Sequence, residues 1–161
     1  MRRLLGLAVL ALAPQPVLGW TVDDVVSEAR DFCAGFDNGQ ITVAPTAVQT
    51  VELTGEGEPE TIIDWGGIDC STMASPWGGT GGSTLTILAG GQRFDHMAFG
   101  WQVVDFDGPV LLLAQHGINC NATGADRCVQ ALIWTAGTLT GAGWPVSEDE
   151  GGAMPEGEGN E

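Results

Sequence analysis

Lysine is absent from this sequence, and its five arginines face 21 aspartates and glutamates, for a formal charge of −16. A nucleic-acid duplex is held chiefly by Lys and Arg on its phosphates, so nucleic acid is excluded as a partner, and an anionic lipid surface repels the chain for the same reason. Acidity of this order also serves solubility alone. Catalytic signatures are missing too: there is no Gly-x-Ser-x-Gly elbow, no His-Glu-x-x-His and no phosphate-binding loop. The four cysteines do not stand in CxxC pairs, which argues against a structural zinc site. Nor is there an apolar run long enough to span about 30 Å of hydrocarbon, since Leu4 to Ala13 is too short.

That short run has another use. Arg2 and Arg3 precede it and Val17-Leu18-Gly19 follows it, so residues 1–19 have the three parts of a secretory signal. Cleavage after Gly19 makes Trp20 the first residue, with Ala11-Leu12-Ala13 as a second acceptable site. No Cys follows the run, so a lipoprotein anchor is not indicated, and no membrane span remains after cleavage. Arg30, Arg93 and Arg127, three bases against 21 acids, then give a formal charge of −18. The expected compartment is periplasmic or secreted, where an even cysteine count reads as disulfides. Cys120 and Cys128 are separated by seven polar and small residues and are expected to pair, leaving Cys33 for Cys70. Residues 20–144, about 125 in all, suit one domain. Residues 145–161 are Gly, Pro and acid, the composition of a disordered tail.

Within the domain, Thr21 followed by Asp24 has the form of a helix N-cap. Val22, Val25, Val26, Ala29, Phe32 and Cys33 fall on one face of a helix over 21–34, and Trp20 is placed to staple onto Val25. Asp37-Asn38-Gly39 signals a turn. Strands are expected at 40–44, 47–53, 60–65, 84–89, 93–106, 109–115 and 128–135, with Gly90-Gly91 and Asp107-Gly108 as two-residue hairpin loops. Val110 to Leu113 reads as a central strand covered on both sides, whereas Thr84 to Ile87 alternates like a half-buried one. Trp65 and Trp77 are expected to cover the core. The fold class is mainly β, an antiparallel meander or small β-sandwich with a short N-terminal helix.

Oxygen-bearing side chains recur at Glu52, Thr54, Glu56, Glu58 and Glu60, with Gly57 after the third, in the manner of a loop that wraps a hard cation. Each short Asp of the usual calcium loop is here a longer Glu, and Ile63 stands at the twelfth position, where a bidentate Glu is usual. Weak calcium binding and a plain solvated hairpin turn both fit the pattern.

The order Phe36-Asp37-Asn38-Gly39, the Leu-Thr-Gly-Glu-Gly loop, Ile68-Asp69-Cys70-Ser71, Gly79-Thr80-Gly81-Gly82, Gly100 to Val104, Gln115-His116-Gly117 and Ala131 to Trp134 resembles a group of small uncharacterised exported proteobacterial proteins. Their loop is similar to the Asp-rich calcium loops of FG-GAP and related β repeats. The resemblance covers residues 33–138 and implies export and a β fold, with no activity attached.

Two histidines remain. His116, at a strand end, is the candidate for a small hydrolase in which Asp69 or Asp105 orients it to activate Ser71. A hydrogen-bonded structural role is the plainer reading of both His116 and His96. No catalytic residue is assigned, and the sequence points away from an enzyme. It favours an exported, non-enzymatic binding or interaction module that presents residues 52–60, 65–82 and 117–128 to a protein or glycan. An inhibitor of a basic enzyme such as lysozyme is the charge-based alternative.

Overall fold

The computed structural model describes residues 19–55, 57–124 and 126–146. The expected signal, Gly19 apart, and the tail beyond Val146 lie outside the described residues. Helix α1 (Val22–Ala34) starts where the sequence placed it. The Asp24 backbone N–H donates to the Thr21 hydroxyl at 3.2 Å, and the Thr21 N–H donates to the Asp24 carboxylate at 2.9 Å. This reciprocal capping box satisfies two otherwise orphaned donors. The Thr21 hydroxyl, and then its N–H, hold the Asp24 carboxyl below its ordinary pKa. Val25, Ala29 and Cys33 form the buried stripe, and the Cys33–Cys70 disulfide ties the helix to the β body.

Eleven strands follow: β1 (Ile41–Val43), β2 (Val48–Val51), β3 (Glu60–Asp64), β4 (Ile68–Cys70), β5 (Gly78–Gly79), β6 (Gly82–Ala89), β7 (Gln92–Ala98), β8 (Gly100–Asp105), β9 (Pro109–His116), β10 (Arg127–Thr135) and β11 (Thr138–Val146). All their pairings are antiparallel. The first sheet runs β2-β3-β6-β7, with short β5 beside β6 on the β3 side. The second runs β11-β10-β9-β8, and a ribbon of β1 and β4 stands apart. Gly90-Gly91 closes the β6–β7 hairpin as the expected two-residue loop, both residues at positive φ as a primed turn requires. Asp105, by contrast, pairs with Pro109, so the β8–β9 loop is three residues, Phe106-Asp107-Gly108, and not the expected two.

The two sheets pack face to face. Ile62, Leu85, Ile87 and Ala98 from the first meet Leu111, Leu113 and Leu132 from the second. A separate cluster of Val25, Ala29, Ile63, Ile68 and Leu88 fills the space between α1, the β1–β4 ribbon and the other face of the first sheet. Adjacent residues such as Ile62 and Ile63 therefore serve different cores, as the two-residue period of a strand demands. Both tryptophans expected to cover the core join this second cluster. The Trp65 indole donates to the Thr86 hydroxyl at 2.8 Å, and Trp77 stacks between Trp65 and Phe32.

Several expectations change. Residues 93–106 are two strands, not one. The chain leaves the first sheet at Ala98, the Phe99 N–H bonds to the Ala114 carbonyl, and β8 joins the second sheet, a corner that Gly100 makes easy. β4, β5 and β11 were not foreseen, and β11 carries the body two residues past 144. Phe32 is exposed and stacks on Phe36 and Trp77, while Trp20 lies under the Arg93 guanidinium and outside the Val25 cluster.

The largest reversal concerns β6 and β9. Strand β6 is buried on both faces from Leu85 to Ala89, Thr86 included, whereas β9 buries alternate residues only. The helix and ribbon cover the first sheet. Among the described residues, nothing covers the outer face of the second.

Candidate binding surfaces

In register, Val51 of β2 faces Glu60 of β3, so residues 52–59 are the loop of a hairpin. Glu60 turns inward and is 6% exposed. One carboxylate oxygen accepts from the Leu53 N–H at 2.7 Å and the Thr54 N–H at 3.1 Å, and the other from the Thr54 hydroxyl at 2.7 Å. A buried carboxylate survives only when its oxygens are satisfied, and here the loop backbone does that. Glu60 is the latch that shapes the turn. Glu52 points to a cleft beside Asp105 and Asp107, and Glu58 to another beside Trp20. Thr54 and Glu60 line the second cleft as well, and Glu56 lies outside the described residues. No three Asp, Glu, His or Cys side chains gather as metal ligands among the described residues.

The two disulfides are Cys33–Cys70, with Cα atoms 5.8 Å apart, and Cys120–Cys128, at 6.0 Å. Both are the expected pairings. The second closes the loop that follows β9 and places Gly124 and Asp126 beside His116, whose ring lies against the Gly124 backbone. The Asp126 carboxylate is engaged by the Thr123 hydroxyl and N–H, which hold its pKa below the usual value. The His116 imidazole makes no hydrogen bond or ion pair to a described residue.

The residues of the hydrolase reading are not brought together. Asp105 is paired with Pro109 at one end of β9 and His116 stands at the other, about 23 Å away at 3.3 Å per residue. Ser71 closes the distant β1–β4 ribbon, where its hydroxyl accepts from the Gln40 N–H at 2.9 Å. Neither Ser71 nor Asp69 lines the cavity beside His116. His96, on β7, is partly buried next to the inter-sheet core. Desolvation lowers its pKa, with neighbouring Asp95 opposing more weakly, so it is favoured as the neutral imidazole.

What the sequence reading missed is the outer face of the second sheet. Trp101, Val103, Leu111, Leu113, Leu132 and Leu139 point into the sandwich core, so their neighbours along each strand point out. Those neighbours include Val104, Val110, Leu112, Val129, Ala131 and Ile133 at the centre with Ala114 and Ala142 beside them, and Gln102, His116, Arg127, Thr135, Thr138 and Thr140 around them. Ile133 is 47% exposed. No Asp or Glu stands at the outward positions of β8 to β11, in a chain with 21 of them. Acids sit at the ends instead: Glu52, Asp105 and Asp107 at one, Asp126 at the other. Four strands about 4.8 Å apart and about eight residues long present about 500 Å² in projection. That is the larger part of the ~800 Å² one partner contributes to a standard interface. The apolar centre is only part of that area, and of its side chains Ala114, Ile133 and Ala142 are exposed while the others are half-buried. Apolar patches of a few hundred Å² are often interaction sites.

Comparison with protein-family models, with curated proteins and with solved structures finds no match to this chain. The resemblance to small exported proteins rests on the quoted motifs. The observed class is a mainly β, antiparallel fold with a short N-terminal helix and two disulfides, in which no described helix is long and apolar enough to cross a membrane.

Proposed function

We propose that this chain is an exported, non-enzymatic interaction module that docks a basic partner protein on the outer face of its second sheet. The observation that carries the proposal is the acid-free face whose apolar centre lies around Leu112 and Ile133, edged by threonines and Gln102, with Glu52, Asp105 and Asp107 at one end and Asp126 beside His116 and Arg127 at the other. An apolar centre inside a charged rim is the anatomy of a protein interface. The charge of −18 expected after signal removal steers a cationic partner toward the module, and the apolar centre then holds it. The partner class is a protein with an apolar patch ringed by Arg and Lys, and a basic secreted enzyme such as a lysozyme is a fitting probe. Two disulfides suit an oxidising, extracytoplasmic compartment. Calcium is left outside the proposal, because both Glu60 oxygens are already engaged by Leu53 and Thr54.

The test is lysozyme turnover titrated with the protein at 0.15 M salt, wild type against Ile133→Lys. Inhibition by the wild type that the substitution removes supports the proposal. Inhibition unchanged by Ile133→Lys, or present only at low salt, assigns the effect to net charge and contradicts it. A second copy or a lipid surface on this face are the competing outcomes. Sedimentation as a stable dimer at micromolar concentration, or flotation with neutral lipid vesicles, would show them.

A further inference from the structure

Four stretches far apart in sequence converge on one cleft of 680 Å³: the segment before α1, the β2–β3 loop, the β6–β7 turn and the β10–β11 turn. Its walls include two indoles. Trp20 is 45% exposed; its backbone N–H donates to the Gly91 carbonyl at 3.3 Å, which anchors its main chain, and the Arg93 guanidinium sits 4.9 Å from its ring centroid, which orients the indole. Arg93 is itself held by Glu28 at 2.6 Å and Asp95 at 2.9 Å. Burial works against its charge, but these carboxylates outweigh that and keep its pKa above the ordinary guanidinium value. Trp134 is half-buried, packs edge-on against Phe94, and lies so close over Gly90 that a Cβ there would stand 2.8 Å from the indole. Both rings are therefore positioned by the fold before any ligand arrives, which lowers the ordering cost of binding.

The rest of the lining mixes apolar Val22, Pro59, Leu88 and Ala89 with polar groups. Glu58 is exposed at the rim with no partner among the described residues, and Thr54 and Thr61 line the cleft with it. Glu60 contributes little, since its oxygens bind the loop. Preformed aromatic surface next to hydrogen-bonding groups matches a ligand with an apolar C–H face and a polar hydroxyl rim. We infer that this cleft is a saccharide-binding site, selective for neutral or amino sugars over acidic ones. With Trp20 as the first residue its α-ammonium stands at the Gly91 carbonyl, one positive charge against Glu58 and the field of a strongly acidic protein, which together disfavour a carboxylate-bearing sugar. The site is separate from the sheet face proposed for docking, and neither inference depends on the other.

The experiment is calorimetric and tryptophan-fluorescence titration of the full protein, disulfides intact, with three probes: a hexamer of N-acetylglucosamine, the deacetylated cationic hexamer and an oligogalacturonate. Trp20→Ala and Glu58→Gln are compared with wild type. Both positions are exposed at the rim, and an unchanged melting temperature shows that each variant is folded. Saturable binding of at least one of the first two probes and none of the third is expected. Trp20→Ala should weaken binding about three- to tenfold, the worth of one aromatic contact. Glu58→Gln should narrow the preference for the cationic hexamer over the neutral one. The inference is overturned if none of the probes binds at millimolar concentration, if the acidic oligomer binds as well as the others, or if folded Trp20→Ala binds like wild type.

Discussion

Glu60→Ala removes a buried carboxylate that organises the β2–β3 loop, and its cost follows from three hydrogen bonds. The Leu53 N–H is buried and loses its acceptor, while the Thr54 N–H and hydroxyl are partly buried and recover some solvation. A stranded buried donor costs about 1–3 kcal/mol, so the sum comes to about 2–4 kcal/mol. For a domain of this size that lowers the melting temperature by about 8–16 °C. Glu60→Gln keeps an acceptor oxygen for the backbone N–H groups and an amide for the Thr54 hydroxyl, and should lose about 1 kcal/mol. Urea and thermal unfolding of the three proteins, with disulfides intact, provide the comparison. The loss should be the same in calcium and in excess chelator, because the bonds are internal to the chain. Two results would refute the reasoning: Glu60→Ala within about 0.5 kcal/mol of wild type, or a loss that appears only when calcium is present.

Other expectations follow from the same structure. The Cys33–Cys70 bond spans 37 positions and Cys120–Cys128 spans eight. Double Cys→Ser replacement should therefore cost about 4 kcal/mol at the first and about 2.5 at the second on loop entropy, read by urea unfolding; equal losses would contradict the ordering. Burial depresses the His96 pKa below the ordinary 6.5, so the unfolded chain takes up this proton first as pH falls. The stability it contributes is full above pH 6.5 and lost as pH drops through the lower, folded value. His96→Gln should flatten the part of the melting profile that declines just below pH 6.5, and an unchanged slope would assign that decline elsewhere.

How far the sequence could be read depended on whether a signal was local. The Thr21–Asp24 cap, the Gly90-Gly91 hairpin and both disulfide pairings depend on near neighbours or on counting, and they appear where expected; the turn at Asp107-Gly108 is also found, with Phe106 as a third loop residue. Exposure of the sheet faces does not. Val110 to Leu113 is apolar at every position, and only the arrangement of sheets decides that Leu111 and Leu113 enter the core while Val110 and Leu112 face outward. Thr84 to Ile87 alternates, yet Thr86 is buried because α1 and the ribbon lie over it and Trp65 donates to its hydroxyl. The strand at 93–106 was read as continuous because β propensity runs through Phe99, while the switch of sheets depends on Gly100 and on what lies opposite. The Glu-rich loop was legible as a motif, but not the inward turn of Glu60. The cleft between Trp20 and Trp134 joins residues more than a hundred positions apart, and no periodicity could have found it.

Affinity for a basic lysozyme, measured as association and dissociation rates from 50 to 300 mM salt, tests the docking face most directly when wild type is compared with Ile133→Lys. Burying the exposed half of an isoleucine contributes about 1 kcal/mol, about fivefold in Kd, before the repulsion of the new charge is added. Wild-type binding should persist at 150 mM, with association slowed by salt and dissociation little changed. Ile133→Lys should dissociate at least about fivefold faster, at an unaltered melting temperature. Equal dissociation of the two proteins, or binding that vanishes at 150 mM salt, would contradict the assignment of this sheet face as the docking surface.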